Sequence, residues 1–194
     1  MNLRISGFSS FGFIILFFAY CSIIFFPAHL QALDRGDSVS DYIIKAYSIA
    51  DGLPQNSVLC LIQARDGYIW FGTQSGLVRF DGITPRIFNR WNTRELKNDT
   101  ILSLCEDDDG YLWIGTDGGG FVGMKDGRWR AFTTNEGLSH DRVRVICKDS
   151  KGSLWVGTDY GLNMMRDETF NVFTTMAGLA GNAVNVIIES RSGG

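Results

Sequence analysis

Histidine, proline and clustered positive charge are what this sequence has least of, and each shortage removes a class of function. The chain holds two histidines, and His29 lies ahead of the expected export cleavage point, which leaves His140 alone in the exported part. A Ser-His-Asp triad or a histidine metal centre therefore has almost nothing to draw on. Net charge is −3 and no Lys/Arg cluster forms a basic stripe, so a nucleic-acid face is not expected in this region. Three prolines stand against 23 glycines and 13% aromatics, with the glycines recurring beside Trp and Asp. That combination reads as many short strands joined by tight turns, an all-β class. Hydrophobic content of 45% with 20% charge fits a globular chain and not a disordered one.

The beginning of the sequence reads as an export signal. Arg4 is followed by an apolar run over residues 11–26 and then by Leu30-Gln31-Ala32, a small-residue cleavage site. Residues 1–32 are accordingly expected to be a signal peptide or, alternatively, an uncleaved N-terminal membrane anchor, although the run is short for a bilayer span. Cys21 is a poor lipoprotein site because Tyr20 stands where a small residue is needed. Of the remaining cysteines, Cys105 and Cys147 hold the same place in successive repeats. They are expected on neighbouring blades, too far apart for a disulfide, and Cys60, Cys105 and Cys147 are read as small apolar residues inside strands.

Internal repetition decides the fold. Trp70-Phe71-Gly72-Thr73, Trp113-Ile114-Gly115-Thr116 and Trp155-Val156-Gly157-Thr158 recur 43 and 42 residues apart. Fourteen residues before each Trp stands Asn56, Asp99 or Asp141, and Asn182 opens a fourth copy whose Trp would fall at 196. Three residues ahead of these come Leu53, Leu96, Leu138 and Leu179, preceded by Gly52, Glu95, Gly137 and Gly178, so only Glu95 departs. Each copy then shows an apolar run (residues 58–62, 101–105, 143–147 and 184–188), expected to be a strand covered on both faces. Asp66-Gly67, Asp109-Gly110 and Lys151-Gly152 are read as two-residue hairpin loops leading to the Trp strand. Gly76-Leu77 and Gly161-Leu162 open a third strand, and residues 128–133 and 169–174 make a fourth.

Four antiparallel strands per unit of about 42 residues is a β-propeller blade. The Trp is expected between adjacent blades, with the Gly two residues later allowing close backbone approach. The predicted partial propeller spans residues 33–194: an orphan outer strand at 42–50, three full repeats starting near 56, 99 and 141, and the start of a fourth near 182. Three and a half blades cannot close a ring, so the propeller is incomplete in this chain, and exposed strand edges should make it self-associate in isolation. The second copy departs in its Asp117-Gly118-Gly119-Gly120 loop and in Arg90-Trp91, which replaces the expected aromatic register.

The sequence Asp-Gly-x-Ile/Leu-Trp-Phe/Ile/Val-Gly-Thr, then Gly-Leu, then an aromatic strand and Gly-Leu-x-x-Asn/Asp, resembles the two-component regulator propeller repeat. The resemblance covers roughly residues 42–194. It implies a bacterial periplasmic sensor region of a membrane histidine kinase, hybrid two-component protein or diguanylate cyclase, with the output domain outside this chain. It further implies a small-molecule or glycan ligand of unknown identity, an anchor in the inner membrane through the N-terminal segment or a downstream helix, and a homodimer of the full-length protein. No binding motif of the family carries over onto numbered residues here, so the ligand-binding residues are unknown.

Residues with chemical potential each have a simpler reading. His140 beside Asp141 reads as a loop residue. Glu106-Asp107-Asp108-Asp109 could attract calcium, but adjacent carboxylates on a strand point to opposite faces and other copies lack the cluster, so no metal site is assigned. The glycine-rich stretch 115–120 has no Lys or helix start after it to cradle a phosphate. Arg35-Gly36-Asp37 spells an adhesion tripeptide of too little information to use. Asn56, Asp99, Asp141 and Asn182 could be ligand contacts repeated around a tunnel mouth, or caps on a turn at strand entry, the reading preferred here. No catalytic residue and no cofactor is assigned.

The leading expectation is an exported, periplasmic, non-enzymatic ligand sensor that signals across the membrane. The alternatives are a secreted protein- or glycan-binding propeller and, less favoured, a propeller lyase or glycosidase. For the last, only Asp108-x-Gly110-x-x-Trp113 approaches a propeller-hydrolase box, without its Ser.

Overall fold

Alternating apolar runs and glycine turns fold into three sheets of identical order. The computed structural model describes residues 45–190; the expected signal peptide, Arg35-Gly36-Asp37 and residues 42–44 of the expected orphan strand lie outside them. The first blade holds β1 (Cys60–Gln63), β2 (Ile69–Thr73), β3 (Gly76–Phe80) and β4 (Pro85–Phe88). The second holds β5 (Ile101–Glu106), β6 (Leu112–Thr116), β7 (Phe121–Lys125) and β8 (Arg128–Phe132), and the third β9 (Val143–Lys148), β10 (Leu154–Thr158), β11 (Gly161–Arg166) and β12 (Thr169–Phe173). Every sheet is an antiparallel meander in chain order. The protein is therefore all-β, a set of propeller blades, and three blades are fewer than the four to eight that close a propeller. Among the described residues no helix is long and apolar enough to cross a membrane.

The recurring Trp-x-Gly-Thr motif builds the seams. β5 packs on β1 and β2 of the blade before it, and β9 packs on β5 and β6. Trp70 joins Leu77 of its own blade and Ile101, Leu112, Ile114 and Val122 of the next in one buried cluster; Trp113 joins Phe121 and Phe132 with Val143, Ile146 and Leu154 in the same way. Burying an aromatic of this size contributes roughly 4–6 kcal/mol by area. Each Trp also packs on the aromatic that ends its own outer strand: Trp70 on Phe88 at 5.6 Å, Trp113 on Phe132 at 6.0 Å and Trp155 on Phe173 at 5.9 Å.

The Gly after the Trp is fixed by the neighbouring blade. A Cβ added at Gly72 would come within 2.7 Å of Ile101, at Gly115 within 2.8 Å of Val143, and at Gly157 within 2.8 Å of Val184. Each glycine thus faces a β-branched residue of the next repeat, Ile101 at the start of β5, Val143 at the start of β9, or Val184. The Thr closes the β2–β3 type hairpin: buried Thr73, Thr116 and Thr158 donate through Oγ1 to the carbonyls of Gly76, Gly120 and Gly161 at 2.8, 2.7 and 3.0 Å.

Several details differ from the sequence expectation, each for a local reason. The β1–β2 type hairpins have three-residue loops: Ala64 N–H bonds Tyr68 O, Asp107 bonds Tyr111 and Asp149 bonds Ser153, enclosing residues 65–67, 108–110 and 150–152. The last loop residue is Gly67, Gly110 or Gly152 at φ 87°, 83° and 83°, the left-handed position of a type I turn followed by a bulge. Residues 45–48 form no strand; from 49 the segment is a 3-10 turn, Ile49–Asp51. Tyr47 nonetheless keeps the place of Phe132 and Phe173, packing edge-on to Phe80 at 4.8 Å. Residues 184–188 likewise have no strand ladder, although Val184 N–H bonds Thr158 O at 2.9 Å and the segment runs along the third blade. Both segments carry strand sequence, but among the described residues neither has a partner strand to pair with. The aromatic register of the first blade is kept by Phe88, paired with Leu77 as Phe132 is with Phe121, while Arg90 and Trp91 belong to the following turn.

Neighbouring hairpin loops are also tied together, by changing chemistry at a constant position. Arg65 N–H donates to Glu106 Oε2 at 3.0 Å, Asp108 pairs with Lys148, and Ser150 N–H donates to Glu189 Oε2 at 3.0 Å. In each case the first loop residue of one blade holds the segment that follows on its far side, the end of β5, the end of β9 or residue 189.

Candidate functional site

Each blade enters from the one before through a capped turn, and these turns form one end of the array with the loops between second and third strands. Ser48 and Asp51, and Thr133 and Glu136, make reciprocal capping boxes around the 3-10 turns Ile49–Asp51 and Thr134–Glu136. Gly52 and Gly137 close those turns at φ 92° and 103°. The divergent second copy keeps the same chemistry with amides: Asn89 N–H donates to Asn92 Oδ1 at 2.9 Å while Trp91 N–H donates to Asn89 Oδ1 at 3.0 Å. Residues 93–95 then intervene before Leu96, which explains why Gly-Leu is missing there.

The recurring Asn and Asp residues cap these turns. Ile49, Arg90, Thr134 and Thr175 N–H groups donate to Asn56, Asp99, Asp141 and Asn182 Oδ1 at 2.9, 2.8, 2.7 and 2.8 Å. Four copies make one bond at one place, the role of a turn cap.

One residue earlier, Gln55, Asn98 and His140 vary and reach the loop of their own blade. Gln55 Nε2 donates to Gln74 Oε1 at 3.2 Å, Asn98 Nδ2 donates to Asp117 O, and the His140 ring lies 5.0 Å from that of Tyr160. His140 Nδ1 accepts from Arg142 N–H at 3.1 Å.

Between the second and third blades this end carries a charged network. Arg142 Nε lies 2.8 Å from Asp117 Oδ1 and its Nη1 3.7 Å from Asp159 Oδ2. Arg144 pairs with Asp159 and donates to Asn185 Oδ1 at 2.9 Å. The hydrogen bond from Arg144 holds the Asp159 carboxyl below its ordinary range against the opposing effect of burial, and the nearby Arg142 and His140 add to it. Two guanidinium groups, two carboxylates, an imidazole and the exposed Tyr160 thus gather where sequence reasoning singled out His140 and the divergent loop that begins at Asp117. Arg142 and Arg144 were missed because their partners lie on another blade or at the far side of a hairpin.

The other sequence candidates are occupied elsewhere. Within the acidic run, Glu106 accepts from Arg65 N–H, Asp107 accepts from Tyr111 N–H at 2.9 Å and from Trp113 Nε1 at 2.8 Å, and Asp108 pairs with Arg65 at 3.0 Å and with Lys148. Lys148, then Arg65, lowers the Asp108 pKa. The 117–120 loop spends its amides on protein acceptors, Gly119 N–H on Thr116 Oγ1 and Gly120 N–H on the carbonyl of Asp141 at the entry to the third blade. Cys60, Cys105 and Cys147 are free thiols; burial pushes Cys60 up to about 11 and raises the other two. Among the described residues no group of three or more His, Cys, Asp or Glu side chains is placed to hold a metal ion.

A concavity of about 650 Å³ opens at the opposite end between the second and third blades. Trp113, Phe132, Met165 and Gly123 line its apolar part, and Tyr111 and Trp129 stand with charged residues of the hairpins around it. The rings of Tyr111 and Trp113 are stacked 5.3 Å apart at 22°.

Comparison with known proteins agrees with this architecture. The model of the two-component regulator propeller matches residues 52–75, 95–118 and 137–160, each match running from the turn glycine or its equivalent to just beyond the Trp-x-Gly-Thr motif. Histidine kinase P4 of Formosa agariphila is 41% identical over 49 residues, which cover 25% of this chain and 4% of that protein. The extracellular domain of a hybrid two-component system from B. thetaiotaomicron superposes with a TM-score of 0.66 at 24% identity, covering 77% of this chain and 21% of that one. Virginiamycin B lyase from Staphylococcus aureus shares the fold at a TM-score of 0.50 and 16% identity, over 63% of this chain and 42% of the lyase. This chain spans a small part of the two signalling proteins and under half of the lyase. Its three blades, built on one repeated motif, belong to the two-component regulator propeller repeat family.

Proposed function

We propose that this propeller is the extracytoplasmic ligand-sensing region of a bacterial signal-transduction protein, exported through its N-terminal segment and transmitting to a cytoplasmic output that lies outside this chain. The observation that supports it most is the regulator-propeller motif in register across the blades, joined to turn ends whose side chains change from blade to blade. A constant scaffold carrying variable loops is how propellers acquire binding specificity. A small molecule or glycan fragment is the ligand class this reading favours, with the inner membrane as the anchor and a homodimer as the signalling unit.

The turn end with Arg142, Arg144, Asp117, Asp159, His140 and Tyr160 is the part of the array best suited to a polar ligand. A ligand carboxylate there competes for Arg142 with Asp117 of the preceding blade, which couples binding to blade packing. The glycosidase form of the enzyme alternative has less behind it, because Asp108 of the partial hydrolase box is engaged by Arg65 and Lys148.

The test uses the complete gene product in its native host. Removing residues 46–190 in frame should abolish the change in output activity, read as protein phosphorylation or cyclic dinucleotide, that a panel of glycan fragments elicits, while the protein remains in the membrane fraction. An unchanged response would refute the sensor reading.

A further inference from the structure

A cation lying on an aromatic ring recurs in the outer strands of two blades, and only one of the two has a carboxylate partner. Arg130 of the second blade has its guanidinium 5.0 Å from the Phe132 centroid and pairs with Glu168, in the β11–β12 hairpin of the third blade. Arg86 holds the same register in the first blade: it is paired with Arg79 as Arg130 is with Gly123, and its guanidinium lies 5.1 Å from the Phe88 centroid. The counterpart of Glu168 in the next blade is Gly127, the second residue joining β7 to β8 as Glu168 is the second joining β11 to β12. A Cβ built at Gly127 meets nothing within 4 Å. Arg86 thus keeps the ring and lacks the carboxylate, and it has no ion pair among the described residues.

The extra residues of the second copy build a groove of about 440 Å³ at this place. β4 contributes Arg86, Ile87 and Phe88 to it, the turn contributes residues 92–95, and β8 of the next blade contributes Trp129. The turn backbone is pinned: Thr93 N–H donates to Asn89 O at 2.8 Å, Leu96 N–H to Thr93 O at 3.1 Å and Lys97 Nζ to Arg94 O at 2.9 Å, with the Leu96 side chain fully buried. Asn92 is spent as well, donating to Ile87 O and accepting from Asn89 N–H. The Arg94 guanidinium and the Glu95 carboxylate, by contrast, have no hydrogen bond or ion pair among the described residues. Ile87, Phe88 and Trp129 are only half-buried. The volume of the groove falls in the range of small-ligand sites.

We propose that this groove binds an α-amino acid with a large apolar side chain. Its carboxylate takes on Arg86 the place that Glu168 takes on Arg130, with Arg94 as a second donor. Its ammonium is accepted by Glu95, and its side chain lies against Ile87, Phe88 and Trp129. A guanidinium donates in plane to both oxygens of a carboxylate, which makes it the stronger and more selective partner. The pinned turn and the uncommitted charges reduce what binding costs in ordering and in broken contacts. A plain anion would meet Glu95 and a plain cation would meet two guanidinium groups, so the three charges together select a zwitterion. The groove lies at the seam of the first and second blades, apart from the Arg142–Asp159 network between the second and third, and its failure would leave the sensor reading untouched.

Calorimetric titration of the 194-residue chain tests this with L-phenylalanine. The controls are its amide, which carries the ammonium alone, its N-acetyl derivative, which carries the carboxylate alone, and glycine, which lacks the side chain. Saturable binding of L-phenylalanine at least about ten-fold tighter than any control is expected, the worth of one charge-assisted contact or of the buried ring. Gly127→Glu should abolish it by supplying the carboxylate internally, from a turn position that Glu168 itself occupies at φ 61°, with an unchanged circular dichroism spectrum. Glu95→Gln, altered only in an accessible turn, should bind the N-acetyl derivative as tightly as L-phenylalanine itself. No saturable binding of L-phenylalanine, equal binding of any control, undiminished binding by folded Gly127→Glu, or an unchanged preference in Glu95→Gln would overturn the proposal.

Discussion

The seam between the first and second blades and the seam between the second and third are alike along their inner strands and unlike toward their outer hairpins. On the inner side both have Trp on an apolar cluster, Gly against a β-branched residue, and Thr closing a hairpin. Toward the outside, Arg79 lies over the rings of Tyr68 and Trp70 in one seam where in the other Trp113 itself lies over Gly123, and Ala64 stands where Asp107 receives an indole N–H. The constant half is what lets one blade dock on the next. The variable half is free to diverge, because a cation, a glycine or a methionine opposite the Trp leaves the inner contacts unchanged.

The largest test of this division is to remove the Trp. Trp113→Ala should destabilise the chain by about 3–5 kcal/mol, the cost of emptying an aromatic core site, read as a lower urea midpoint. Trp155→Ala should cost roughly half as much, because its ring is only half-buried and faces the unladdered 184–190 segment. Equal losses would mean that the third blade is covered as fully as the second, and would break the comparison.

Much of this seam was legible in the sequence because it is repeated: Trp, Gly and Thr positions, the Asx caps and ten of the twelve described strands follow from spacing alone. Single-copy features were not. The capped turn of the second copy was hidden because Asn89 and Asn92 replace Ser/Thr and Asp/Glu, and residues 93–95 break the Gly-Leu spacing. The hairpin loops were read one residue short, since Gly67, Gly110 and Gly152 mark the turn but the closing pair is set by Ala64, Asp107 and Asp149. Residues 45–50 and 184–188 have strand composition, yet a strand exists only with a partner. Gly123 looked like any other glycine until its cross-strand neighbour was known, and Arg142 and Arg144 were surface cations until the adjacent blade supplied Asp117 and the hairpin Asp159.

A smaller perturbation sharpens the inner half. Gly115→Ala puts a methyl 2.8 Å from Val143 Cγ1 and 3.3 Å from Ile146 Cδ1, and should cost about 1–3 kcal/mol as overpacking that wedges the blades apart. The double variant G115A/V143A should recover part of that loss by making room on the facing strand. If V143A instead adds its own full cost to that of G115A, the two residues do not share the contact, and glycine is needed at 115 for its own backbone alone.

The smallest expected effect lies at the turn end, where Arg144 lowers the Asp159 pKa. A carboxyl whose folded pKa is depressed contributes stability that is fully present above its unfolded value and is lost as pH falls through the folded one. Wild type should therefore melt above Arg144→Ala by a constant margin from pH 7 to about 5, and that margin should shrink below about pH 4, the ordinary aspartate range. Since Asp159 and Arg144 are each partly exposed, added salt should narrow the margin as well. A margin that persisted unchanged at pH 2 would assign Arg144 to packing of its aliphatic stem between the inner strand and residues 184–189, and the two ends of the seam would then differ in shape and not in charge.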